Sequence, residues 1–148
     1  MEELTAKDIM RTKFRSLKKG DSLKDAIDVF TKEADMVFPV LDEDGRLIGE
    51  VNQREILKLA LSKEYLKEGE IMGPSGIRRA MEHYAKNVGD IMDKNNIQVS
   101  SDTKISQICK IMTETEVGTV EVIGEGDQPK GIVSELDILR YVKDSILK

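Results

Sequence analysis

The sequence predicts a mixed α/β (α+β) fold built from two copies of a β-α-β-β-α unit. The first observation is an internal repeat, because Asp-Ile-Met at residues 8–10 recurs at residues 90–92. The second is that the same offset of 82 residues, with no insertion or deletion, aligns further identical residues: Val40 with Val122, Gly49 with Gly131, Val51 with Val133, and Ile56 and Leu57 with Ile138 and Leu139. The third is that both copies show strand-like and helical apolar spacing in the same order.

The repeat also defines the domain organisation. We place the first repeat at residues 5–60, a linker with a connecting helix at residues 61–86, and the second repeat at residues 87–143. A unit of about 55 residues has little room for a core of its own. The two repeats are therefore expected to fold together.

The first half of each repeat is predicted to be a short strand followed by an amphipathic helix. The strands fall at residues 14–17 and 97–99. The helices are indicated by apolar residues at positions i, i+3, i+4 and i+7: Leu23, Ala26, Ile27 and Phe30 in the first repeat, and Ile105, Ile108, Cys109 and Met112 in the second. Residue types that favour the N-cap position precede both helices: Asp21 and Ser22, then Ser101 and Asp102.

The second half of each repeat is predicted to be a hairpin and a closing helix. The hairpin strands fall at residues 37–41 and 47–51, and at residues 119–123 and 131–133. Glycines at the intervening turns supply the positive φ that tight hairpins need. The closing helices are expected around residues 56–60 and 138–146, and the linker helix is expected to be capped by Ser75.

Composition narrows the classes of function. The 148 residues carry a formal net charge of −5, whereas nucleic-acid-binding surfaces are normally basic, so we expect no nucleic-acid partner. One His and one Cys offer neither a zinc cluster nor a nucleophile–base pair, so we expect no metal, no catalytic residues and no enzymatic activity. The sequence has no apolar run of membrane-spanning length. Its first residues lack the basic-then-apolar order of a signal peptide, so we expect none. We therefore expect a cytoplasmic protein that does not associate with membranes.

Several motifs resemble one known family. The opening Asp-Ile-Met, the Phe-Pro-Val-Leu-Asp at residues 38–42, and the Gly-Ile-Val-Ser-Glu-Leu-Asp-Ile-Leu at residues 131–139 are similar to the cystathionine β-synthase (CBS) domain. Two copies in tandem resemble the CBS pair, or Bateman module. This resemblance implies two repeats packed through their sheets with pseudo-twofold symmetry. It also implies a stand-alone regulatory homodimer that binds AMP, ADP, ATP or, in some members, S-adenosylmethionine, and transmits occupancy to a partner protein.

The family's ligand signature is matched in full by Gly131, Ser134 and Asp137. The segment runs from the end of a strand into the start of a helix, where backbone N–H groups favour an anion. Ser134 could donate to a phosphate oxygen, and Asp137, one turn later, could accept from both ribose hydroxyls. Gly131 would let the ligand approach the backbone closely. The resemblance implies that further residues wall this pocket: Met10, Phe14, Arg15, Met36 and Val37.

The first repeat departs from this signature. Asn52 stands where Ser134 is, and Glu55 stands where Asp137 is, with a carboxylate displaced by one extra methylene. The resemblance pairs this weaker, secondary site with Ile97, Gly118 and Thr119. The sequence therefore predicts one competent nucleotide site.

Two other interpretations of the same residues remain open. Ser-x-x-Asp before apolar residues is also the capping-box pattern, and the two roles are compatible. The alternative for the whole chain is a structural dimerisation module whose ligand sites do not function.

Overall fold

The computed structural model describes residues 3–33, 35–61 and 73–147. Within that part of the chain the elements follow the order α1 (Ala6–Ile9), β1 (Leu17–Lys18), α2 (Leu23–Lys32), β2 (Val37–Leu41), β3 (Leu47–Asn52), α3 (Gln53–Leu57), a 3₁₀ turn (Lys58–Leu61), α4 (Pro74–His83), α5 (Val88–Ile91), β4 (Gln98–Ser100), α6 (Ile105–Thr115), β5 (Thr119–Ile123), a 3₁₀ turn (Glu125–Asp127), β6 (Pro129–Ser134), α7 (Glu135–Tyr141) and a π-helical turn (Val142–Ile146). The predicted mixed α/β fold is confirmed.

The strands form two three-stranded sheets in the described part of the chain, with orders β1-β2-β3 and β4-β5-β6. β1 is parallel to β2, with Leu17 opposite Val40. In the other sheet β4 is parallel to β5, and β5 is antiparallel to β6, with Val120 opposite Val133. Each repeat therefore contributes one sheet with its central strand second in chain order.

The chain divides into two compact units, which do not coincide with the repeats. Of the described residues, the first unit contains 3–14, Gly45–Leu47 and 95–147. The second unit contains 15–33, 35–44, 48–61 and 73–94. Each unit thus includes the opening segment of the other repeat, α1 in the first unit and α5 in the second.

Backbone hydrogen bonds hold these opening segments in place. In the first unit the Ala6 N–H donates to the Thr103 carbonyl (2.8 Å), and the Ile105 N–H donates to the Leu4 carbonyl (2.9 Å). In the second unit the Val88 N–H donates to the Asp21 carbonyl (2.8 Å). The two opening segments therefore dock in the same way, each beside the start of the long helix of its unit.

Each unit has its own buried core, to which both helices and strands contribute. Of the predicted helical faces, Ile27 and Cys109 are only partly buried. The core of the second unit includes Leu17, Leu23, Ala26, Val29, Phe30, Phe38, Val40, Val51, Ile56, Leu59, Ala80, Ala85 and Val88. The core of the first unit includes Ala6, Val99, Ile105, Ile108, Met112, Val120, Val122 and Val133. The contact between the Phe30 and Phe38 rings, 4.7 Å between centroids, joins α2 to β2.

Two of the predicted helix caps are wrong. The helix α6 begins at Ile105 after Lys104, beyond Ser101 and Asp102. Those residues lie in a turn that the Thr103 N–H closes onto the Ser100 carbonyl (3.1 Å), so the helix starts later. In contrast, Ser22 caps α2 as predicted and accepts from the Asp25 N–H (3.1 Å).

The connecting helix is α4, and Ser75 is not its cap. Gly73 is the N-cap, with φ of +61°, and Pro74 is the first helical residue. Proline suits this position because its missing N–H would have no partner in the first turn. Residues 62–72 of the predicted linker lie outside the described residues. None of the helices described for this chain is long and apolar enough to cross a membrane.

Candidate functional site

The candidate site is built around the turn that joins β6 to α7. Ser134 ends β6 with extended backbone (φ −106°, ψ 165°) and is the N-cap of α7. Its hydroxyl oxygen accepts from the Asp137 backbone N–H (3.2 Å), and its own backbone N–H donates to Asp137 Oδ2 (2.8 Å). This reciprocal pair is a capping box, which fixes the two side chains relative to each other.

The Asp137 carboxylate is buried and receives donors on both oxygens. Its side chain is 6% exposed. The Ser134 hydroxyl donates to Oδ2 (2.8 Å), and Arg11 Nε lies 3.1 Å from Oδ2 and 3.0 Å from Oδ1. Arg140 Nη1, one helical turn further on, lies 3.6 Å from Oδ1. A carboxylate removed from water is tolerated because it is paired and hydrogen-bonded in this way.

Arg11 reaches Asp137 because the opening segment of the chain lies along the edge of β6. The Arg11 N–H donates to the Ile132 carbonyl (2.9 Å), and the Ile132 N–H donates to the Arg11 carbonyl (3.0 Å). Gly131 permits this approach, since a Cβ there would lie 2.8 Å from the Arg11 carbonyl oxygen and 2.9 Å from Met10 Sδ. Gly131 therefore makes room for the chain's own backbone, where the sequence suggested room for a ligand.

The residues predicted for the main site are divided between the two units. The first unit contains Met10, Phe14, Gly131, Ser134 and Asp137. The second unit contains Arg15, Met36 and Val37. Arg15 Nη1 lies 3.3 Å from Glu33 Oε1, Met36 is exposed, and Val37 begins β2.

The turn of the first repeat differs from this arrangement in the way expected for glutamate. Asn52 is the N-cap of α3, and its Oδ1 accepts from the Glu55 N–H (3.1 Å). The longer Glu55 side chain directs its carboxylate to Lys58, with 3.3 Å between Oε2 and Nζ. The bond from the Glu55 N–H to the N-cap side chain is therefore kept. The reciprocal bond is replaced by an ion pair between the Glu55 carboxylate and Lys58.

The other residues predicted for the weaker site lie in the first unit: Ile97, Gly118 and Thr119. Thr119 is opposite Ser134 in the β5–β6 pair, and the Gly118 carbonyl accepts from the Glu135 N–H (3.0 Å). The Ile97 carbonyl accepts from the Glu121 N–H (3.2 Å). Gly118 and Thr119 are thus backbone neighbours of the Ser134 turn within the first unit.

Arg11 is the site residue that sequence reasoning missed. It is 126 positions from Asp137, so local spacing gives no sign of the contact. The residue 82 positions after Arg11 is Asp93, but charge also reverses between Asp28 and Lys110 and between Lys32 and Glu114. The repeat therefore does not single out Arg11.

Surface hollows occur in the described parts of both units, and the one in the first unit adjoins this turn through Glu135. One, of about 300 Å³ in the first unit, lies between α6 and α7 and is lined by Cys109, Met112, Thr113, Glu135, Ile138 and Leu139. The other, of about 760 Å³ in the second unit, is lined by Lys18, Lys19, Gly20, Asp21, Leu41, Asp42, Glu43, Asp44 and Asn87. The Ser134–Asp137 turn is taken as the candidate site because its buried carboxylate is held by Ser134 and by the distant Arg11. No group of three or more metal-ligating side chains occurs among the residues described.

Comparison with known families identifies the family to which the chain belongs. The family model of the CBS domain matches residues 6–62 and 88–144. The chain therefore belongs to the CBS domain family and carries two such domains in tandem. The turns at Asn52 and Ser134 occupy corresponding positions in the two matches.

Three known proteins illustrate this membership. The uncharacterized protein MJ1225 of Methanocaldococcus jannaschii is 28% identical over 125 residues, which cover 82% of this chain and 41% of that protein. The chain thus spans less than half the length of this curated relative. The crystal structure of MJ1225 is similar in fold, with a TM-score of 0.79 at 24% identity over 95% of this chain and 48% of the solved chain.

Two liganded structures share the fold. CBSX2 in complex with AMP has a TM-score of 0.77 at 20% identity, covering 95% of this chain and 96% of the other. The CBS domain pair of MJ0100 in complex with 5′-methylthioadenosine and S-adenosyl-L-methionine has a TM-score of 0.67 at 20% identity, covering 96% and 98%. Both solved chains are of nearly the same extent as this chain.

Proposed function

We propose that this chain is a regulatory module that binds an adenosine nucleotide, AMP, ADP or ATP, at the Ser134–Asp137 turn. The observation that supports this most directly is the buried Asp137 carboxylate, positioned by its capping box beside the Arg11 guanidinium. A carboxylate can accept from two neighbouring hydroxyls, and a guanidinium pairs with phosphate. The fold shared with the AMP complex of CBSX2 supports an adenosine nucleotide. The fold shared with MJ0100, in complex with 5′-methylthioadenosine and S-adenosyl-L-methionine, supports the adenosine group more generally.

Binding would redistribute the hydrogen bonds of the turn. The Ser134 hydroxyl, which donates to Asp137 Oδ2, would rotate to donate to a phosphate oxygen. The backbone N–H of Ser134 would keep its bond to Oδ2, so the start of α7 stays capped. The carboxylate would then accept the ribose hydroxyls, with Gly131 and Met10 beside it and the remaining predicted residues as further contacts.

The corresponding turn of the first repeat is proposed to bind the same ligands more weakly or not at all. Its carboxylate, on Glu55, lies against Lys58 and is displaced from the position that Asp137 holds. Asn52 keeps a donor for phosphate. One competent site per chain is therefore the proposed stoichiometry.

Occupancy would be transmitted to a partner protein through a shift between two conformations. A ligand can shift such an equilibrium only by binding one state better than the other. A second copy of this chain is the proposed structural partner, because α7 and the turn after it leave large apolar side chains exposed: Leu136, Leu139, Ile146 and Leu147. Sedimentation equilibrium is then expected to give the mass of two chains.

A thermal-shift screen tests the proposed function. The ligands are AMP, ADP, ATP, S-adenosylmethionine, 5′-methylthioadenosine and NAD, each titrated to saturation. A ligand at 100 times its Kd is expected to add about 2.7 kcal/mol to the free energy of unfolding. A shift with AMP, ADP or ATP supports the proposal. The absence of any shift would contradict it and favour a purely structural dimerisation module.

A further inference from the structure

Arg11 offers a way to distinguish between the adenosine derivatives that the site could accept. We infer that Arg11 makes the Ser134–Asp137 turn selective for nucleotides with a 5′-phosphate over the uncharged nucleoside. This inference rests on the proposed function, since it names the ligand class of that same site. It is carried by the contacts of the Asp137 carboxylate and by a comparison between the two repeats.

A ribose that binds Asp137 must displace donors that already contact its carboxylate. Asp137 Oδ2 already accepts from the Ser134 N–H and hydroxyl, and Arg11 Nε lies against both carboxylate oxygens, at 3.0 and 3.1 Å. Rotation of the Ser134 hydroxyl vacates one acceptor position. A second ribose hydroxyl would approach Oδ1, which Arg11 Nε already contacts at 3.0 Å and Arg140 Nη1 at 3.6 Å. Binding of the sugar therefore competes with the Arg11–Asp137 ion pair.

Loss of the Arg11–Asp137 ion pair is unfavourable unless the ligand supplies another anion. The Arg11 side chain is 33% exposed and that of Asp137 is 6% exposed, so this pair is better shielded from water than an ordinary surface ion pair. Adenosine replaces a charged donor by neutral hydroxyls and offers the guanidinium no anion. AMP carries its own anion on the same ribose, and guanidinium–phosphate pairs are among the strong charge-assisted hydrogen bonds. The phosphate therefore offsets the lost ion pair, and the nucleoside does not.

The position of the Arg11 backbone limits how far its guanidinium can move from the turn. Its backbone is held at the edge of β6 by the two hydrogen bonds to Ile132, 2.9 and 3.0 Å long. Its close approach to Gly131 leaves no space for the backbone to shift inward. A guanidinium released from Asp137 thus stays within one side-chain length of the turn, where the phosphate of a bound nucleotide would be.

The position that corresponds to Arg11 in the second repeat carries the opposite charge. Asp93, 82 positions after Arg11, makes the same backbone bridge to Glu50, with N–H to carbonyl distances of 2.8 and 2.9 Å. The backbone geometry is therefore shared, while the side-chain charge is reversed. In the second unit this position supplies a carboxylate, which repels phosphate. Selectivity for the phosphate consequently belongs to the Ser134–Asp137 turn.

The experiment is calorimetric titration of the full chain with AMP and with adenosine. It compares wild type, Arg11→Gln and the control Lys7→Gln, which removes a positive charge from an exposed ion pair with Asp102 in the same unit. Wild type and the control are expected to bind AMP about tenfold or more tightly than adenosine, since a hydrogen bond to a charged group has that magnitude. In Arg11→Gln the preference is expected to fall to about threefold or less, with adenosine bound no more weakly than by wild type.

An unchanged AMP-to-adenosine ratio in Arg11→Gln overturns the inference. Arg11→Lys keeps the charge and is expected to keep most of the preference, so a loss as large as in Arg11→Gln also overturns it. If circular dichroism shows that Arg11→Gln is unfolded, Arg11→Met, with its unbranched aliphatic stem, takes its place. Failure of wild type to bind AMP, ADP, ATP or adenosine overturns the proposed function itself, which is a different result from an unaltered ratio.

Discussion

Asp137 is satisfied by residues from opposite ends of the chain. Ser134 supplies two donors from three positions away, and Arg11 supplies a charged donor from 126 positions away. The local donors make the carboxylate a helix cap, and the distant one makes it part of a charged pair. The same side chain therefore has a structural role and the proposed ligand role, as the capping-box interpretation of the sequence allowed.

Gly131 is expected to be the least replaceable glycine at this edge. In Gly131→Ala the added Cβ would lie 2.8 Å from the Arg11 carbonyl oxygen, a backbone atom fixed by its bond from the Ile132 N–H. We expect the free energy of unfolding to fall by about 1–3 kcal/mol, the usual cost of overpacking. Urea denaturation followed by circular dichroism measures the change.

Gly20→Ala is the matched control for that prediction. Nothing lies within 4 Å of the position its Cβ would take, and its φ is not in the left-handed region. Its free energy of unfolding is expected to change by no more than about 0.5 kcal/mol. Equal effects of the two substitutions would show that the opening segment is not held against β6 as described.

Corresponding helices of the two repeats differ in how their ends are capped. The turns before α3 and α7 are both capped from the N-cap side chain, at Asn52 and Ser134, and only the second has a complete box. The ends of α2 and α6 also differ, because α6 is followed by Glu116 in the left-handed region (φ 57°, ψ 33°). Non-glycine residues are strained there by about 1–2 kcal/mol.

Glu116→Gly is accordingly expected to stabilise the protein. Glycine adopts positive φ without steric cost, which outweighs its greater freedom in the unfolded chain. We expect a gain of about 0.5–1 kcal/mol in the free energy of unfolding, measured by thermal and urea denaturation. The control Glu114→Gly, exposed within α6, is expected to lose about 1 kcal/mol. A loss in both variants would contradict the left-handed geometry at Glu116.

Most elements could be predicted because their signals are local. Apolar spacing located α2 and α6, and the runs at residues 37–41 and 119–123 located β2 and β5 with the observed bounds. The start of α6 could not be predicted from residue type, because the turn between Ser100 and Thr103 competes for the residues that would cap it. The residue types at Ser101 and Asp102 favour an N-cap, but both residues lie within this turn. The helix therefore begins after it.

At the scale of the whole molecule, the repeat predicted the number of units but not their composition. The opening segments α1 and α5 each dock in the unit formed mainly by the other repeat. Nothing in the residues 8–10 or 90–92 specifies this exchange, since both copies have the same Asp-Ile-Met. At the candidate site, the capping contact between Ser134 and Asp137 could be predicted from the Ser-x-x-Asp spacing. Arg11 could not, because its position beside them depends on the exchange.

The net charge of −5 adds a constraint at the same scale. The field of the whole protein opposes the approach of an anionic ligand. Binding of a nucleotide must therefore depend on donors at the site itself. Arg11, the Ser134 hydroxyl and the neighbouring Arg140 are the donors that the first unit collects around Asp137.

The central claim is that the Asp137 turn is the nucleotide site, and calorimetric titration with AMP tests it most directly. The variants are Asp137→Asn and the matched Glu55→Gln, each checked for folding by circular dichroism. The account predicts one AMP per wild-type chain. It also predicts a loss of affinity of about tenfold or more in Asp137→Asn and a change within about twofold in Glu55→Gln. Two equivalent sites per chain, or equal losses in the two variants, would contradict it.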